Sequence, residues 1–157
     1  MAAARQPVSH CRGGRSPGRV VESAAIGDRE GMSLLRTLGQ VGLGAVLLTA
    51  GAGHLTTKRQ EFQAQVPSWF PVDPDRVVVV SGVAELALGT ALLVTWRQPA
   101  RRRLGNVAAA FFAGVFPGNI AQFVERKDSF GLDTDRKRAV RLLGQPALIA
   151  WARASTR

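Results

Sequence analysis

One cysteine and two histidines are all the thiol and imidazole available in this 157-residue chain. Cys11 on its own allows neither an intrachain disulfide nor a CxxC redox pair, so thiol chemistry would need a partner. His10 and His54 are too few and too far apart for a metal centre or a bis-histidine haem. No flavin, haem or thiol motif is visible, which argues against an enzyme. Acidic residues are scarce as well, 11 against 21 Lys and Arg, and the resulting net charge of +10 raises the question of nucleic-acid binding. The placement of the charge argues against it. The basic residues fall in the N-terminal segment, in Arg97 to Arg103 and in 126–138, mostly beside apolar runs, where membrane topology and anionic headgroups use them.

What the chain does have is apolar sequence gathered into four blocks, with charge between them. The clearest, 77–96, reads VVVVSGVAELALGTALLVTW and carries one ionisable side chain, Glu85, near its middle. A lipid environment makes such a carboxyl costly, so it calls for a reason. The other blocks are 34–55, 104–124 and 139–154, and together the four predict an all-α, four-helix transmembrane bundle. The fourth is short for a span and contains Arg141, Gln145 and Pro146, which requires snorkelling, thinning or a partly re-entrant course. In the first, Arg36 is near enough to the end to snorkel, and the many glycines suit close helix approach. A cleaved signal peptide competes for that block, because a basic start, an apolar stretch and Ala50-Gly51-Ala52 resemble its parts, although the run is longer than a usual signal core.

Residues 1–31, rich in Arg, Gly, Ala, Ser and Pro, read as a disordered basic segment that precedes a transmembrane domain over 32–157. Met32 is the more natural start, which would make 1–31 a mispredicted extension. Between the first two spans, Pro67, Pro71 and Pro74 prevent a continuous helix, and Pro67 and Trp69 with their neighbours mark a loop at the membrane interface. Gly114 and Gly118 form a small-xxx-small pair, read as close packing, and Pro117 between them interrupts the helix. Basic residues in 1–36 and 97–103 favour a multi-pass protein of the inner (plasma) membrane with both termini cytoplasmic; 126–138 opposes that orientation.

With four spans, both long connections lie on one side. Counted from that side, His54 ends the first span, Gln122 and Asn119 lie near the end of the third, and Arg141 and Gln145 open the fourth. Glu85 is eight residues into the second, roughly 12 Å at the helical rise. The polar groups of all four helices therefore gather in one half of the bilayer, leaving almost none in the other beyond Arg36. They predict a ligand or proton pocket of His54, Glu85, Asn119, Gln122, Arg141 and Gln145, opening toward the long loops. Within it Glu85 would accept from Gln145 or Asn119, or pair with Arg141 if their helices are adjacent. The bland alternative is that these amides and ion pairs only fix helix packing.

Several short segments, taken in order, resemble the DoxX-like family of small bacterial integral membrane proteins over nearly all of 32–154. They are Gly51-Ala-Gly53-His54, Val66-Pro67-Ser-Trp69-Phe70-Pro71, Ser81-Gly82-Val-Ala-Glu85-Leu86, Phe116-Pro117-Gly118-Asn119 and Arg141-Leu-Leu-Gly-Gln145-Pro146. The resemblance implies a four-helix membrane bundle and association with respiratory or thiol-redox machinery. Two departures, Leu55 where Phe is commoner and Gly118 where Ala is commoner, are conservative. The expectation is a non-catalytic subunit or small-ligand-binding bundle, with a quinone-like ligand and a membrane oxidoreductase partner. The alternative is a proton-coupled carrier or exporter, which would need a homo-oligomer because four helices leave little room for alternating access.

Overall fold

The computed structural model describes the backbone from residue 17 and side chains from Met32. The expectation of disorder over 1–31 concerns residues that lie wholly or partly outside that description. Five helices follow: α1 (Pro17–Leu55), α2 (Arg59–Gln63), α3 (Pro74–Val94), α4 (Ala100–Val124) and α5 (Asp135–Ser155). The chain divides into two units, 1–33 and 34–157, and the larger one is a helical bundle.

Local chemistry sets the helix limits. Pro74 occupies the first turn of α3, where its missing N–H costs nothing, and the Asp73 carboxylate accepts from Arg76 N at 3.1 Å as its cap. That cap starts the helix at Pro74, three residues before the apolar run. The Thr134 hydroxyl accepts from Lys137 N at 3.4 Å and starts α5 in the charged stretch, so the helix covers 21 residues, about 31 Å. α4 likewise begins earlier than 104, taking in Arg101 to Arg103. α2 is a short helix inside the first connection, completed before Pro67.

Among the described residues three helices are long and apolar enough to cross a membrane, Met32–Leu55, Pro74–Val94 and Ala100–Val124, which makes this a multi-pass membrane protein. α5 has the length, but its charged opening turns lower its hydropathy. It packs along α4, where Gly105 leaves room for Ala152 and Thr156. Leu43, Leu47, Leu92, Ala108, Ala109, Phe112 and Ala152 form the core.

The end of the bundle away from the long loops is more polar than expected. Gln40, fully buried, donates from Nε2 to the carbonyls of Leu92 at 2.7 Å and Thr95 at 2.8 Å, satisfying the last turn of α3. The idea that this half holds almost no polar groups after Arg36 is therefore corrected. A helix ending inside a bundle must find donors for its final carbonyls, and Gln40 supplies two. Arg101 and Gln98 do the same for α5, donating to Ser155 O at 2.7 Å and Thr156 O at 3.0 Å. Trp151 Nε1 donates to Gly39 O at 2.9 Å and ties α5 to α1.

Candidate functional site

The site is built on a crossing of α1 and α3 through paired glycines. Gly44 faces Gly89 and Gly51 faces Gly82, so both helices place their glycines seven residues apart and run antiparallel in register. A Cβ on Gly51 would lie 2.7 Å from Gly82 O, and one on Gly89 would lie 2.9 Å from Gly44 O. A Cβ on Gly82 would lie 2.7 Å from His54 Cβ. Only glycine lets the backbones come this close, and that approach carries His54, in the last turn of α1, to Glu85 one turn along α3.

His54 and Glu85 are both buried, with Nδ1 2.8 Å from Oε2. Nδ1 also lies 2.9 Å from the carbonyl oxygen of Ala50. A carbonyl can only accept, so Nδ1 carries a hydrogen in either charge state of the ring. That one N–H serves two oxygens; directed at Ala50 O, it leaves Oε2 close but without a well-aligned donor. The tautomer and plane of the imidazole are thereby fixed from behind, as a carboxylate partner fixes a histidine elsewhere. Among the described residues Nε2 has no hydrogen-bond partner.

In front of the ring lies a cavity of about 230 Å³ between the 62–70 segment, α3 and α4. Four aromatic side chains, His54, Phe62, Trp69 and Phe70, contribute to its walls, with Ser81 on α3 and Gly114 and Gly118 on α4. Phe62 stacks on the imidazole at a centroid distance of 3.4 Å and an interplanar angle of 19°. Pro117 has no N–H, so the Ala113 carbonyl loses its helical donor within the same stretch of α4.

The six residues expected to form one pocket fall into separate contacts. Only His54 lines the cavity, and Glu85 stands behind it. Arg141 Nε donates to Asn119 Oδ1 at 3.1 Å, and Gln145 Nε2 donates to Phe112 O at 3.2 Å. Gln122 is 1% exposed, and neither of its amide atoms is hydrogen-bonded among the described residues. The anticipated contacts of Glu85 with Arg141, Asn119 or Gln145 are not formed among the described residues: Glu85 has His54 beside it, while Arg141 and Gln145 are bonded elsewhere. The two groups are instead joined through rings. Phe62 meets Phe130 edge-on at 4.6 Å, and the Arg141 guanidinium sits 5.3 Å from the centre of the Phe130 ring.

Phe130 was not anticipated from the sequence. Its φ of 56° is left-handed, an arrangement that costs a branched or bulky residue of order 1–3 kcal/mol. Glu61 on α2 holds it there. Phe130 N donates to Glu61 Oε2 at 3.1 Å and Ser129 Oγ donates to Glu61 O at 2.6 Å. The Lys58 ammonium bonded to Glu61 keeps that carboxyl below its ordinary range. Glu61 lies 69 residues from Phe130 in the chain, so no local sequence pattern signals this clasp.

Of the interfacial pair, Trp69 is 69% exposed and Pro67 lines the cavity beside it. The Gly114-xxx-Gly118 spacing does not act as a packing pair: Gly118 abuts the Gln65 carbonyl, whereas Gly114 has open space around it. Among the described residues no cluster of His, Cys, Asp and Glu is arranged to hold a metal ion.

A family model described as a domain of unknown function, DUF8561, matches residues 43–156. The span matched runs from mid-α1 to the end of α5 and includes the whole of the His54 cavity. No curated protein and no solved structure matches the chain.

Proposed function

We propose that this chain, which belongs to the DUF8561 family of unknown function, is a non-catalytic membrane bundle that binds a small planar ligand against His54. The observation that carries this reading is the His54 ring itself. It is clamped on its Nδ1 edge by Glu85 and Ala50, stacked on Phe62, and free at Nε2 on the wall of a largely apolar cavity. Apolar walls with a few placed polar groups are how ligand sites combine affinity with orientation. The rings favour a flat head, and Nε2 favours a head with one hydroxyl or carbonyl, the chemistry of phenols and quinones.

α5 completes the bundle as a fourth membrane-embedded helix in this reading. Its outward face presents Val140, Leu143, Ala147 and Ala150, while Arg141 turns inward and Arg136, Lys137 and Arg153 lie toward the ends. An apolar outer face with charge kept inside or at the rims is the pattern that lipid requires. The protein then sits in the inner (plasma) membrane with both termini and the Arg97–Arg103 link cytoplasmic. The oxidoreductase partner that DoxX-like kinship would add is not needed for ligand binding at this cavity, and neither is the oligomer that a carrier would require.

The test is a titration of the protein in lipid nanodiscs with a short-chain p-benzoquinone, read as quenching of Trp69, with Trp69→Phe as the blank. Saturable quenching is expected, and His54→Phe is expected to weaken it about tenfold, the loss of one net hydrogen bond of ~1.4 kcal/mol. Absence of saturation in the wild type ends this reading.

A further inference from the structure

The geometry points to lateral access: the ligand of the His54 cavity is a lipid-dissolved molecule that arrives from the bilayer, between α3 and α4, rather than from water. This deepens the binding role proposed above and depends on it.

The water-facing end of the cavity is roofed. Gln65 O packs against Gly118, close enough that a Cβ there would come within 2.6 Å of it. Lys127 Nζ donates to Val66 O at 3.0 Å, and Ser68 N donates to Glu125 Oε1 at 3.3 Å. Glu125 and Lys127 are themselves paired at 2.8 Å, so one ion pair at the end of α4 holds the 66–68 segment of the roof. On the other side, Asp75 takes Arg59 and Gln63, fastening α2 to the start of α3.

The flank is open. α3 and α4 are joined at the far end by the short link 95–99, and toward the loops both contribute walls to the cavity. Gly114 lies on the cavity wall, exposed, with nothing within 4 Å of where its side chain would be. It is ten residues from the end of α4, about 15 Å along the helix, and Ser81 opposite is seven residues from the start of α3, about 10 Å. Both depths are within the hydrocarbon of a bilayer. The wall beside Gly114 and Ser81 is apolar, formed by Val77 and Val78 on α3 and Val115 on α4. An opening at that depth, rimmed by glycine and valine and covered on the loop side by the 65–68 segment, admits what is dissolved in lipid. An alkyl tail can remain outside in the acyl chains while a flat head reaches His54 Nε2.

The experiment uses the full chain in nanodiscs and an alkyl-tailed p-benzoquinone as probe, with Trp69 quenching as the readout. Occupancy is expected to follow the mole fraction of probe in the lipid, so doubling the lipid at fixed protein and probe shifts the titration about twofold. Gly114→Leu fills open space and leaves the melting temperature at or above wild type, yet is expected to reduce binding at least about tenfold. Wild-type binding of the probe together with an unaffected Gly114→Leu protein, or with a titration set by aqueous probe concentration, overturns lateral access and leaves the binding role standing. No wild-type binding of either the tailed or the short-chain quinone removes both.

Discussion

His54 and Glu85 meet at 2.8 Å because two glycines, Gly51 and Gly82, let the backbones of their helices approach closely at the crossing. The contact between the ionisable groups is thus a consequence of backbone packing, and it should be sensitive to methyl-sized changes that touch neither group.

Gly82→Ala tests this directly. The added Cβ would be 2.7 Å from His54 Cβ, too close to accept, so α1 and α3 must separate. Overpacking of this kind costs about 1–3 kcal/mol. A lower melting temperature in detergent is expected, whereas Gly114→Ala, which meets nothing within 4 Å, should be neutral or stabilising. Equal melting temperatures for the two variants would contradict the crossing.

Glu85→Gln keeps an acceptor for the Nδ1 hydrogen and should fold normally while altering ligand affinity. Glu85→Leu removes the oxygens beside Nδ1 and leaves Ala50 O as the acceptor of its hydrogen. Loss of the buried polar contact costs about 1–3 kcal/mol, so this variant should melt earlier than Glu85→Gln. Matching stability in both variants would mean that the pair does not hold the site.

Gln40→Leu should destabilise the protein by about 1–3 kcal/mol, because the carbonyls of Leu92 and Thr95 lose their buried donor. Thermal unfolding in detergent measures it. An unchanged melting temperature would show that those carbonyls find other partners.

The clasp between α2 and Phe130 should respond to acid in one direction. The Glu61 carboxyl is held below its ordinary value of 4.5, chiefly by its hydrogen bond from Lys58. A depressed folded-state value means that the stabilisation is complete above the ordinary value and disappears as pH falls through the lowered one. Proteolytic nicking in 126–133 should therefore stay constant from neutral pH down to about 4.5 and rise only in stronger acid. Nicking that already rises between pH 7 and 5 would contradict this.

Much of this arrangement was legible in the sequence, for reasons that differ by residue. The three apolar spans follow from run length alone, and Glu85 and His54 stand out because lipid makes their burial costly. The seven-residue glycine spacings in 44–51 and 82–89 are also visible. Their partnership is not, since register between two helices is a tertiary property. Arg141 drew attention as a charge in an apolar run, with Glu85 as its partner if their helices were adjacent. The structure gives it Asn119 and a ring instead, because Phe130 reaches inward only through a left-handed backbone that no local pattern announces. Gln40 escaped notice because it sits among glycines and leucines with no partner nearby in sequence; its role depends on where α3 ends.

The account rests on the His54 ring being held at Nδ1 and offered to a ligand at Nε2. Nitrogen-15 NMR of imidazole-labelled protein in nanodiscs measures both atoms at once. On saturation with a lipid-soluble quinone, the Nε2 resonance of His54 should move while Nδ1 keeps its hydrogen-bonded position. An Nε2 resonance that does not respond, or an Nδ1 that exchanges freely in the absence of probe, would contradict it.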